Sequence, residues 1–146
     1  MEIRKALDDL FYIFILNKYI FDPIRKKTVV MTPEEEVRQN LIRYLTSERG
    51  YPQMLISVEA PLKFAGAAKR TDVVVYNNKA QPLMLIECKA PDVAITNKVF
   101  EQIAVYNIPI KAPYLLVTNG IQSYCMRVDT KTFLKDIPEY DEMKTV

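Results

Sequence analysis

The run PLMLIECK, Pro82 to Lys89, is apolar almost without a break until Glu87. A strand with one wet face alternates polar and apolar residues. This segment does not, so it reads as a central strand buried on both faces. Such a strand needs cover on two sides. Further extended runs flank it: Met54 to Glu59, Lys69 to Tyr76 (KRTDVVVY) with a turn at Asn77 and Asn78, Tyr114 to Thr118 (YLLVT), and Ser123 to Val128. Val99, Ile103 and Tyr106 fall on one side of a helix between the third and fourth strands. Antiparallel neighbours plus a strand–helix–strand crossover give an α/β fold, a mixed sheet with helices on both faces.

One more helix is marked before the strands. Thr32 suits an N-cap, Pro33 the first helical position, and Glu34 to Glu36 the first turn. Glu35 stands three residues after Thr32 and completes a capping box. Val37, Leu41, Tyr44 and Leu45 make the apolar face, and Gly50 ends the unit. Phe21 to Lys27 reads as a loop with a basic end and Thr28 to Met31 as a short extended piece. Ile3 to Leu10 suits a short helix. Leu10 to Leu16 is too short to span a bilayer and lacks a good cleavage site, so it reads as a buried strand or helix. Thr130 onward looks like a short peripheral tail. One domain of 146 residues is expected, with a core at about 21–128, an N-terminal extension 1–20 and a C-terminal tail 129–146.

Histidine is absent from the chain. Ser-His-Asp and Cys-His nucleophile systems, histidine metal sites and HNH nucleases are therefore excluded. The two cysteines, Cys88 and Cys125, have no CxxC partner, which argues against zinc or a disulfide framework. Reduced core thiols in a cytoplasm are the simpler reading. Three glycines leave no phosphate-cradling loop. A net charge of +2 argues against nucleic-acid binding through bulk charge, but allows a local basic patch. Chemistry must come from Asp, Glu, Lys, Tyr or Cys, and oxygen ligands favour magnesium or manganese.

Asp72 opens an otherwise apolar strand end, where an unpaired carboxylate is costly. Glu87 and Lys89 are two residues apart on the next strand, so both leave the same sheet face. A hairpin near Asn77–Gln81 can bring Asp72 beside Glu87. Two such carboxylates repel unless a cation lies between them. Lys89 can orient a water or stabilise charge developing on phosphorus. The alternative is a solvated Glu87–Lys89 edge pair, with Asp72 capping a turn.

Glu34 falls with Val37 and Leu41 toward the sheet and is a candidate third carboxylate. The alternative is that Glu34, Glu35 and Glu36 only favour the helix dipole, with Glu35 in the capping box. Gln102 and Tyr106 stack on one helix face and can point toward Lys89, or else be surface and core residues. Arg25, Lys26, Lys27, Lys63, Lys69 and Arg70 are candidate phosphate contacts or plain solvated surface.

The ordered set TPEEEVRQNLIRYL, GYP, VE, KRTDVVVY, LIECKAP, FEQIAVYN and YLLVTNG resembles the N-terminal nuclease domain of type I restriction enzyme R subunits, in particular short stand-alone bacterial forms. The likeness runs from about Phe21 to about Cys125. It implies a restriction-endonuclease-like fold with an αβββαβ core. It implies Asp72 and Glu87 as metal-binding carboxylates, Lys89 as the catalytic lysine, and Gln102 and Tyr106 as the QxxxY element that follows ExK. It also implies a helix glutamate, Glu34 or Glu35, as a further ligand, and Glu59 as a supporting carboxylate. The implied activity is magnesium- or manganese-dependent cleavage of DNA; the alternative is a binding module that does not cut. Implied partners are DNA and restriction-modification or helicase subunits; no membrane is implied. A separate reading is a second copy of the chain, paired through the apolar stretch Leu10–Leu16 so as to cut both strands, although core packing explains that stretch as well. R subunits continue into a helicase-type motor that these 146 residues do not contain. ATP use and sequence recognition are therefore not implied.

Overall fold

The computed structural model describes residues 18–64 and 67–144, and the side chains of 18–61 and 70–144. The expectations for Ile3–Leu10 and Leu10–Leu16, and for the Lys63 and Lys69 side chains, lie outside what is described.

The chain opens with an antiparallel hairpin, β1 (Tyr19–Asp22) and β2 (Lys27–Val30). Asp22 builds its turn. The buried carboxylate accepts the N–H of Ile24 at 2.8 Å and of Arg25 at 3.3 Å. Residues 23–26 of the expected loop are the turn of this hairpin, closed around a buried acid, and the extended piece expected at Thr28–Met31 is β2.

Helix α1 (Pro33–Glu48) begins where the caps place it. The Glu35 N–H donates to Thr32 Oγ1 at 3.1 Å. The other half of the capping box is not made. The Thr32 N–H donates to Val30 O, and the Glu35 carboxylate turns to two arginines. Gly50, at φ +72°, releases the chain from the helix, and the Tyr51 N–H returns to Leu45 O at 3.0 Å.

After a 3₁₀ turn (Gln53–Leu55), β3 (Ile56–Phe64), β4 (Ala67–Tyr76) and β5 (Pro82–Cys88) follow. Helix α2 (Asn97–Ile110) leads to β6 (Tyr114–Thr118), β7 (Ser123–Arg127), β8 (Thr132–Phe133) and the helical turn α3 (Tyr140–Met143). The six-stranded sheet runs β3-β4-β5-β6-β7-β8. Only β5 and β6 among these neighbours are parallel, and α2 is the crossover between them. The expected helix, three strands, helix, strand order is present.

β5 is buried along nearly its whole length, as its composition demands. Val73, Val75, Met84, Ile86 and Cys88 pack on one face with Val37, Leu41, Ile42 and Leu45 of α1. Val74, Leu85, Leu115 and Val117 pack on the other with Ile103 of α2. Period-two alternation thus divides each strand between two cores.

The C-terminal segment is not peripheral. Tyr140 and Met143 are buried in the α1-side core. Tyr51 Oη donates to Pro138 O, and Tyr140 Oη to Tyr76 O, each at 2.8 Å. No helix among the described residues is long and apolar enough to cross a membrane.

Candidate active site

Pairing of β4 with β5 runs from Tyr76↔Pro82 to Val73↔Ile86 and stops there. The next residues are Asp72 and Glu87. The Asp72 carboxylate enters the gap and takes the Cys88 N–H on Oδ2 at 2.7 Å, in place of a ladder bond. The neighbour on the other side does not part: Cys88 pairs with Thr118, and the Lys89 N–H donates to Thr118 O at 2.8 Å. The parting of one strand pair, with its other neighbour fixed, makes a notch at the carboxyl end of β5. That is where ligands enter open α/β sheets.

By alternation Asp72, Glu87 and Lys89 leave the same face of the sheet, and the charged neighbours Glu34 and Arg38 come from α1. Their side chains are 16%, 19% and 23% exposed, and Lys89 Nζ stands 3.3 Å from Glu87 Oε1. Burial and the charge of Asp72 raise the Glu87 carboxyl to about 7, against the pull of Lys89. Burial also raises Asp72, although the Cys88 N–H, Arg38 and Lys89 oppose it. Glu34, at the start of α1, is exposed rather than turned into the sheet with Val37 and Leu41; partial desolvation and Asp72 raise its carboxyl, while Lys89 and Arg38 pull it down. Glu34, Asp72, Glu87 and Lys89 are thus brought into one electrostatic unit.

Glu35 belongs elsewhere. It accepts Arg38 Nε at 2.9 Å and Nη2 at 2.7 Å, Gln39 Nε2 at 3.3 Å, and an Arg25 guanidinium nitrogen. Burial would raise its carboxyl, but Arg38 and Arg25 hold it below the usual range. With its oxygens saturated, Glu35 has no capacity left for a cation, which leaves Glu34 as the helix glutamate beside the notch.

Glu59 sits opposite Asp72 in the β3–β4 register, in the gap between Val58↔Val73 and Ala60↔Thr71. Its φ of +54° is a left-handed conformation that a side chain disfavours. Its carboxylate lies 3.1 Å from Arg25 Nη1, 3.5 Å from Arg38 Nη2 and 3.8 Å from Arg70 Nη1.

The expectation for Arg25 is corrected. Its side chain is 11% exposed and joins Asp22, Glu35 and Glu59, so it is no surface cation for phosphate. Lys26 and Lys27 are exposed, and Arg70 is 71% exposed. Gln102 Nε2 reaches Tyr106 Oη at 3.4 Å on α2. Among the described residues, the ionic partner of Lys89 is Glu87, not that pair.

Arg38 escaped the sequence reading. Nη1 stands 3.5 Å from Asp72 Oδ1, so this arginine joins the ion network to the notch. A faint signal exists, since Arg38 follows Glu35 by three and lies beside inward-facing Val37. Asn119 also went unread. Its Oδ1 takes the N–H groups of Ile121 and Gln122, and its Nδ2 holds Val93 O at 2.9 Å. It thereby anchors the loop between Lys89 and α2 to the β6–β7 turn.

Among the described residues, no group of three or more Asp, Glu, Cys or His side chains is arranged to hold a metal ion. The donor set still fits magnesium or manganese. Magnesium commonly takes one or two carboxylates and fills its shell with water and substrate phosphate. Asp72 and Glu87 would supply such a pair; burial raises both, and the charge of Asp72 adds to the rise at Glu87.

A mixed sheet with a helix on each face, and acids where its central strands part, is a restriction-endonuclease-like architecture. Residues 33–138 match the family model described as type I restriction enzyme R protein N terminus (HSDR_N), and the chain belongs to that family. Among solved structures, a fragment assigned as the HsdR subunit of a type I restriction enzyme from Vibrio vulnificus YJ016 superposes with a TM-score of 0.62 at 17% identity. The match covers 77% of this chain and 24% of that one. At this identity the likeness speaks for the fold alone, and the chain spans about a quarter of that structure's length. No curated protein matches the sequence.

Proposed function

We propose that the domain is a divalent-metal-dependent endonuclease that hydrolyses DNA phosphodiester bonds. The observation that carries this is the acid pair at the strand parting: Asp72 and Glu87, both raised by burial, with Lys89 Nζ 3.3 Å from Glu87. Two buried carboxylates this close repel each other, and a divalent cation between them relieves that repulsion.

Asp72 and Glu87 would hold magnesium or manganese, and Glu34 would add charge from the helix end. The ion supplies positive charge to the phosphate and favours deprotonation of the attacking water. The chain's own residues do the rest. The Cys88 N–H fixes the Asp72 carboxylate. Lys89 orients the water and stabilises negative charge on the phosphoryl oxygens. The water oxygen forms a bond to phosphorus, the bond to the leaving sugar oxygen breaks, and that oxygen takes up a proton. Exposed Lys26, Lys27 and Arg70, together with Lys69, contact the backbone. Gln102 and Tyr106, held to each other on the same sheet face, position the strand.

The test is cleavage of linear, branched and single-stranded DNA with magnesium or manganese. Activity lost in Lys89→Ala supports the reading. Absence of any Lys89-dependent cleavage across these substrates sinks it. One observation favours a second reading, a module that holds DNA without cutting. Arg38 already offers Asp72 a positive charge at 3.5 Å. In that case DNA affinity would not depend on the metal or on Asp72.

A further inference from the structure

Arg38 is 6% exposed, and its three nitrogens are divided between two tasks. Nε and Nη2 grip Glu35 at 2.9 and 2.7 Å, and Nη2 is also 3.5 Å from Glu59. Nη1 is left for Asp72 Oδ1, at 3.5 Å. The other Asp72 oxygen is held from the sheet side by the Cys88 N–H. Asp72 is therefore pinned from two directions, and the Glu87 carboxyl is hydrogen-bonded to it as well. Glu35 prevents the guanidinium from swinging away, and arginine does not lose its proton in proteins. A cation entering the notch must bind beside this fixed charge rather than displace it.

We propose that Arg38 is the resident counter-cation of the acid pair: it positions Asp72 from the α1 side, and its charge limits how tightly the site takes a divalent cation. The proposal rests on the reading of Asp72 and Glu87 as a divalent-cation site. Arg38 touches neither substrate nor ion. It acts through Asp72 and through its field. A structural prop and a counter-cation differ in sign. Removal of a prop weakens cation binding, whereas removal of a nearby like charge strengthens it.

The experiment measures the Kd for Mn²⁺ by calorimetry at constant ionic strength. It uses the whole chain and the variants Arg38→Gln, Arg38→Lys and Asp72→Asn, with circular dichroism as the check on folding. Arg38→Gln is expected to bind Mn²⁺ tighter by roughly threefold to tenfold, yet to cleave more slowly because Asp72 is less well held. Arg38→Lys keeps the charge and loses the fork, so it should bind near the wild-type Kd and also cleave more slowly. Affinity in Arg38→Gln equal to or weaker than in Arg38→Lys overturns the proposal. Should Arg38→Gln fail to fold, Arg38→Lys decides: wild-type affinity with slower cleavage upholds it, and weakened affinity overturns it. Wild type that takes up no Mn²⁺ overturns the site reading as well. Wild-type uptake that depends on Asp72, with both Arg38 variants unchanged, overturns this proposal alone.

Discussion

Two acidic clusters adjoin across α1 and the sheet, and they differ in one respect. Around Arg25 and Arg38, the carboxylates Asp22 and Glu35 receive guanidinium and backbone donors on nearly every side. Burial alone would raise both, yet the donors hold them below the usual range. At the strand parting, Asp72 and Glu87 share one lysine and the outer edge of Arg38, and both are raised. Residues of the same kind thus take opposite shifts. The difference lies in the balance: the donors outweigh burial around Arg25 and Arg38, whereas burial outweighs them at the strand parting. A saturated cluster holds structure together; an undersaturated one is, on the function proposed above, the place for a charge from outside.

The largest expected effect falls on the saturated cluster. Glu35→Ala leaves Arg25 and Arg38 facing each other without their shared acid, and should cost about 3–5 kcal/mol in denaturant unfolding. A loss below 1 kcal/mol, about what an exposed pair contributes, would show that solvent already supports the cluster.

At the undersaturated cluster, Lys89→Ala should lower metal-dependent cleavage on the order of a hundredfold with little change in unfolding. Gel assays of initial rate check the first part, and thermal melts the second. Equal loss of both would make Lys89 a structural residue.

The clusters should also give stability opposite pH dependences. Asp22 and Glu35 are depressed, so their contribution is present above their ordinary range and fades as pH falls. Glu87 is raised, so its contribution is full below its ordinary value of 4.5 and is lost as pH climbs through about 7. Metal-free protein should therefore lose on the order of 2 kcal/mol between pH 5 and 8, and Glu87→Gln should flatten that decline. Urea titrations in chelator test this; a wild-type profile that stays flat would contradict the raised Glu87.

The smallest effect lies in the frame around the notch. Gly120 adopts φ +86°, and an added Cβ would meet Val37 Cγ2 at 3.2 Å. Gly120→Ala should destabilise by about 1–2 kcal/mol without removing cleavage. Thermal denaturation measures the first part, and a melting point equal to wild type would mean that the turn relaxes freely.

Legibility in the sequence follows the same division. The notch residues could be read because local rules place them. An apolar run ends in ExK, alternation puts Glu87 and Lys89 on one face, and a turn signal at Asn77–Asn78 brings Asp72 opposite. Strand β6, Tyr114–Thr118, and the start of α1 at Thr32 were likewise legible from composition and capping. The saturated cluster could not be read. Its contacts join residues 22, 25, 35, 38 and 59, and no periodicity carries that information. Asp22 and Arg25 looked like loop surface because burial there comes from the hairpin folding over α1. Tyr140 and Met143 looked peripheral because only tertiary closure, through Tyr51 and Tyr76, brings them inside.

The direct test of undersaturation is uptake of Mn²⁺ by wild type and by Asp72→Asn at pH 7.5, followed by electron paramagnetic resonance of the free ion. The wild type should remove Mn²⁺ from solution, release protons as Glu87 deprotonates, and lose this uptake when Asp72 is neutralised. Equal uptake by the two proteins, or none by either, would contradict a cation site between Asp72 and Glu87.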